Sequence, residues 1–149
     1  MKPIVLRLIA FFVLTSAFAF NAAIAHGKNV AGPNGGRLIT AVSPHAEFFV
    51  TAERKVQITF VGEDGKALAP AGQIVVVTAG ERTAPTKLTF KEVGGVLLSD
   101  QTLPEGKNFP AVVQIKATPE AKAIAARFNV NLSICSGCSK AEYACTCGH

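Results

Sequence analysis

The stretch IAARFNVNLSI, residues 124–134, decides the fold class. Ile124, Ala126, Phe128, Val130, Leu132 and Ile134 alternate with Ala125, Arg127, Asn129, Asn131 and Ser133. A period of two turns one set of side chains toward a core and the other toward water, as a strand does and a helix does not. Upstream, Val56, Ile58 and Phe60 alternate in the same way with Lys55, Gln57 and Thr59, and Leu88 and Phe90 with Lys87, Thr89 and Lys91. Ile74-Val75-Val76-Val77 and Leu97-Leu98 are unbroken apolar runs, which fit central or doubly covered strands. Residues 38–42, 48–51 and 111–117 bring the candidates to eight.

Glu53-Arg54, Asp64-Gly65, Gly94-Gly95 and Pro104-Glu105-Gly106 stand between these runs, and each suits a tight reversal. No segment sustains helical periodicity. The one place for a helical turn is residues 119–126, where Pro, Glu, Lys and several Ala cluster. Eight short strands in about a hundred residues predict an all-β chain. Its expected form is an immunoglobulin-like antiparallel β-sandwich of about 7–8 strands over residues 37–134, with a small barrel as the alternative.

The N-terminus has a different character. Lys2 and Arg7 precede a thirteen-residue apolar stretch, 8–20, which is followed by Ala23-Ile24-Ala25. This is the pattern of a secretory signal cut after residue 25, and the stretch is too short for a permanent membrane span. The expected location is periplasmic or secreted, with no membrane span after cleavage. Residues 26–36, HGKNVAGPNGG, hold four Gly, one Pro and two Asn and read as a flexible, exposed N-terminal arm. Thirteen of the fifteen basic residues lie beyond residue 25 and face ten acids, giving a mild charge of +3 that excludes a nucleic-acid surface.

All four cysteines lie in the last fifteen residues, a Cys-rich C-terminal tail at 135–149 with the spacing Cys135-x2-Cys138-x6-Cys145-x-Cys147-x-His149. The tail has one large apolar side chain, Tyr143, and cannot build a core of its own, so cross-linking is expected to order it. A metal ion is one cross-link. Cys135 and Cys138 can turn back on a Ser-Gly linker, while Cys145, Cys147 and His149 share one side of an extended segment. Such a donor set suits Zn or Cu and rejects magnesium and calcium. Disulfides are the other cross-link, natural for an exported chain with an even cysteine count, although a Cys145–Cys147 bond would be strained. His26 would become the new N-terminus and offer amine and imidazole together, with His45 as a possible second copper ligand.

Gly-Pro-Asn-Gly-Gly-Arg-Leu at 32–38, Pro44-His45-Ala-Glu47-Phe48 opening a strand, and the strand-rich remainder resemble small bacterial periplasmic proteins, some similar to domains that accompany heavy-metal efflux systems. The resemblance implies an envelope efflux or storage protein as partner. A more distant similarity to periplasmic copper-resistance carriers lacks their Met-rich segments, because the single Met is the initiator.

Enzymatic chemistry is poorly provided for. Only Asp64 and Asp100 supply aspartate, both in turn-like contexts, and Gly32–Gly36 lacks the Lys-Ser/Thr ending and helix of a phosphate loop. A redox role for Cys135-x-x-Cys138 would want a helix N-terminus, whereas here the motif follows a strand. The expected function is therefore a non-enzymatic metal-binding protein, a carrier, buffer or efflux accessory. The alternative is an interaction module whose tail disulfides staple.

Overall fold

The structure, a computed structural model, describes residues 29–148. The expected signal segment, His26 and His149 lie outside the described residues. Ten strands follow one another: β1 (Arg37–Ile39), β2 (His45–Val50), β3 (Lys55–Val61), β4 (Ala67–Leu68), β5 (Ile74–Ala79), β6 (Thr86–Leu88), β7 (Phe90–Val93), β8 (Val96–Thr102), β9 (Asn108–Lys116) and β10 (Ile124–Asn131). They form two antiparallel sheets. One runs β1-β2-β3-β8-β7 with β4 paired to β3, and the other runs β10-β9-β5-β6.

With β1 and β4 set aside, β2-β3-β8-β7 follow the A-B-E-D order of an immunoglobulin domain, and β5, β9 and β10 take the C, F and G places. This is the expected sandwich, and two separate sheets exclude the barrel. Phe48, Ile58 and Phe60 of one sheet are buried against the other sheet's contribution, Val77, Val113, Ile115 and Val130. No helix among the described residues is long and apolar enough to cross a membrane.

Each reversal falls where turn residues stand. Gly94 and Gly95 join Val93 to its partner Val96 with φ of 60° and 80°, a pair of left-handed conformations that only glycine adopts without strain. Arg54 also takes a φ of 60°. Its Nη2 donates to the carbonyls of Pro104 and Gly106, so the guanidinium ties this reversal to the one between β8 and β9.

The structure departs from expectation in several places, each with a local cause. The run 87–91 is two strands rather than one: Leu88 ends β6 in one sheet, Phe90 opens β7 in the other, and Thr89 is the crossing. Asp100 fixes that crossing by accepting from the Thr89 amide at 3.0 Å and its hydroxyl at 2.7 Å. In β5 the apolar run is covered on one face only, since Val75 and Val77 are buried while Ile74 is 43 % exposed. Residues 119–126 hold turns and the start of β10, and the single helical turn among the described residues is a 3-10 turn at Glu142–Ala144. β4, two residues long, was too short to give a pattern.

The deciding strand itself ends early. Asn131 Oδ1 accepts from the Ser133 amide at 3.0 Å, a side-chain turn that bends the chain out of the sheet. Beyond the bend the inward parity changes by one residue. Ile134 is therefore 67 % exposed and Cys135 is buried.

Candidate metal centre

The last seventeen described residues form a hairpin-like knuckle that leads away from β10. Ile134 bridges Ala141, the Glu142 amide donates to the Ser133 carbonyl at 2.8 Å, and the Cys135 amide donates to the Lys140 carbonyl at 2.8 Å. Inside this frame the Ser139 amide returns to the Cys135 carbonyl at 2.9 Å, and Ser139 takes a φ of 57°. The loop Cys135-Ser-Gly-Cys138 is thereby folded back so that both sulfurs turn to one side. The 3-10 turn Glu142–Ala144 then carries Cys145 and Cys147 up to them.

The tail is not without a core, because it borrows one. Tyr143 is 5 % exposed and belongs to the sandwich core with Ala144. Its ring meets Phe48 edge-on at 5.7 Å between centroids, and its hydroxyl accepts the Val50 amide at 3.0 Å. Burial raises the phenol's pKa, with the Glu47 carboxylate adding to the effect, so Tyr143 stays neutral. β1 and β10 are the edge strands at one side of the sandwich, and the 3-10 turn touches both. The tail closes that open side.

Four sulfurs meet as a result. The Sγ atoms of Cys135, Cys138, Cys145 and Cys147 all lie within 4.8 Å of one another. Cys135 and Cys145 are 3.3 Å apart, Cys138 and Cys145 3.7 Å, and Cys135 and Cys147 3.9 Å. A disulfide would bring a pair to about 2.05 Å, and no disulfide joins any two of the four. Zinc–sulfur bonds of about 2.3 Å place the corners of a regular tetrahedron about 3.8 Å apart. The observed spacings scatter about that edge. The four cysteines could hold one metal ion with little movement.

The surroundings favour thiolate at Cys138. Backbone amides of Lys140 and Thr146 donate to the Cys138 sulfur and, with the Cys145 and Cys147 thiols, bring its pKa down to about 6. The Cys147 amide donates to Cys145 Sγ at 3.4 Å, but the thiols of Cys135 and Cys138 and burial outweigh it and raise Cys145. Cys147, next to the Cys138 and Cys145 sulfurs, is pushed up to about 12. Close sulfurs cannot all carry charge alone, so Cys138 ionises readily while Cys145 and Cys147 resist. A divalent cation relieves that conflict.

Gly137 completes the packing. A β-carbon there would stand 3.0 Å from Cys147 Sγ and 3.8 Å from Cys135 Sγ, so the linker backbone lies directly against the sulfurs. Its role follows from the closeness of the cluster, which spacing alone does not reveal.

The expected arm also differs from expectation over residues 29–36. Glu47 points away from the core-facing Phe48 yet is fully buried, because this segment folds over it. The amides of Asn34 and Gly36 donate to Glu47 Oε1 at 2.9 and 2.7 Å, and Asn34 Nδ2 donates to Oε2 at 2.7 Å. A β-carbon on Gly32 would lie 2.4 Å from the Glu47 carboxyl carbon, which explains a glycine-rich sequence at this place. Asn29 Nδ2 reaches the Cys145 carbonyl at 3.2 Å, so the two ends of the described chain meet at the cluster.

His45 is elsewhere. It opens β2 after the cis Ser43-Pro44 bond, with Nδ1 at 2.9 Å from the Val42 carbonyl, and no group of potential ligands among the described residues includes it. No protein-family model, curated protein or solved structure matches the chain.

Proposed function

We propose that this is an exported, non-enzymatic metal-binding protein of the bacterial envelope that holds one zinc or copper ion on Cys135, Cys138, Cys145 and Cys147. The observation that carries the reading is the convergence of four cysteine sulfurs within 4.8 Å with no disulfide among them, held by a knuckle whose amides point at the Cys138 sulfur. Four thiolates close a tetrahedral site and leave no position for substrate, which fits storage, buffering or carriage better than catalysis. Cys147 is exposed, so a partner can reach the ion from one side, as a carrier or efflux accessory requires. The signal-like first 25 residues and the resemblance to efflux-associated domains supply the compartment and the partner in this reading.

The test is elemental mass spectrometry on protein purified from the periplasm, together with a free-thiol count. About one zinc or copper per chain, with thiols that become reactive when the ion is chelated, supports the proposal. Absence of any ion in protein whose thiols are free would refute it.

A further inference from the structure

The four sulfurs are not equivalent. Cys135 and Cys145 are buried, at 2 % and 8 % exposure, whereas Cys138 is half-buried and Cys147 is exposed. A dissolved oxidant therefore meets Cys138 and Cys147 first. Each of these has a buried partner: Cys145 lies 3.7 Å from Cys138, and Cys135 lies 3.9 Å from Cys147.

Resting on the metal-binding reading, we propose that the centre is also a four-electron thiol switch. Organic disulfides convert it to the two bonds Cys138–Cys145 and Cys135–Cys147 and expel the ion. The chemistry is thiol–disulfide exchange. An accessible cysteine sulfur attacks one sulfur of the oxidant RSSR, forming a mixed disulfide and releasing RS⁻. The buried partner then attacks the protein sulfur of that mixed disulfide and releases the second RS⁻. Two molecules of RSSR give two protein disulfides, four RS⁻ and the free cation, starting from four bound thiolates. The first bond already removes half of the ligands.

Accessibility selects this pairing over the others. Joining Cys138 to Cys147 would leave Cys135 and Cys145, 3.3 Å apart, where no dissolved oxidant reaches them, and oxidation would stop after one bond. Joining Cys145 to Cys147 strains a bridge across a single residue. Pairing exposed with buried leaves one accessible sulfur after the first bond, whichever forms first. The oxidised tail keeps its staple, since Tyr143 and the knuckle's backbone bonds are not consumed. Metal release and unfolding are thus separate events.

The experiment takes the full mature chain, reduced and loaded with Zn²⁺, and treats it with oxidised glutathione while a chromophoric chelator reports free zinc. Peptide mass spectrometry without reduction then maps the bonds. Expected are one zinc released per chain, the Cys138–Cys145 and Cys135–Cys147 bridges, and recovery of zinc uptake after reduction. A single Cys138–Cys147 bridge with two surviving thiols, or bridges within each neighbouring pair, would overturn the proposal. Zinc retained through oxidation would overturn it as well. If the reduced chain takes up no zinc, the metal reading fails, whereas zinc uptake followed by different bridges defeats the switch alone. A Cys138→Ser variant serves as control: it should form Cys135–Cys147 only, and a Cys145–Cys147 bridge in its place counts against the pairing.

Discussion

Replacing Tyr143 with alanine should loosen the metal centre without touching a ligand. The ring is 5 % exposed, stands edge-on to Phe48 at 5.7 Å and supplies the acceptor for the Val50 amide. Truncating a buried aromatic to alanine costs about 3–5 kcal/mol, and the edge-on pair contributes about 0.5–1.5 kcal/mol of that order. The tail can detach while the sandwich persists, so part of this cost falls on docking of the tail and hence on the ligands' proximity. If about half does so, zinc affinity drops roughly tenfold to hundredfold, at 1.4 kcal/mol per decade. Tyr143→Phe keeps the ring and removes only the acceptor, which leaves the Val50 amide unsatisfied at a cost of about 1 kcal/mol. Competition with a chelator of known affinity measures the first effect, and urea unfolding of reduced, metal-free protein measures the second. A Tyr143→Ala protein that binds zinc within twofold of wild type would refute the claim that the sandwich core orders the centre.

Other outcomes follow from the same geometry. Gly137→Ala pushes a β-carbon against Cys147 Sγ and should weaken zinc binding about tenfold, in the range expected for overpacking, while leaving the urea midpoint of the metal-free protein nearly unchanged. Asn34→Ala removes the Nδ2 donor to the buried Glu47 carboxylate and its second bond to Thr59 Oγ1, and should lower unfolding free energy by about 1–3 kcal/mol, read by urea denaturation. In the reduced, metal-free chain Cys138 has a pKa of about 6, below the ordinary thiol value near 8.5, so its thiolate favours folding. That contribution is complete above about pH 8.5 and is lost as pH falls through 6. Wild type should lose stability across this window relative to Cys138→Ser, and iodoacetamide at pH 7 should label Cys138 before the more exposed Cys147.

Alternation made most of the sandwich legible, because a half-buried strand writes its two faces into the sequence at a period of two. Val56, Ile58 and Phe60 are buried as their pattern requires, and the Gly94-Gly95 turn sits where its backbone demands. What alternation cannot show is a change of sheet within one run. Thr89 carries no mark of the crossing, which depends on a distant carboxylate at Asp100. Glu47 was similarly silent as a buried acid, since its partners are backbone amides that no residue type announces. At the tail, spacing brought Cys135, Cys138, Cys145 and Cys147 together as candidates, but Tyr143 looked like a lone apolar residue. Its core lies ninety residues upstream at Phe48 and Val50, a tertiary relation that a local reading does not contain.

Cobalt titration of the reduced chain tests the central claim most directly, because the d–d and charge-transfer bands of Co²⁺ report both geometry and the number of sulfur ligands. A tetrahedral tetrathiolate spectrum that saturates at one equivalent and disappears with zinc is the predicted result. A six-coordinate spectrum, or none at all with four titratable thiols, would contradict it.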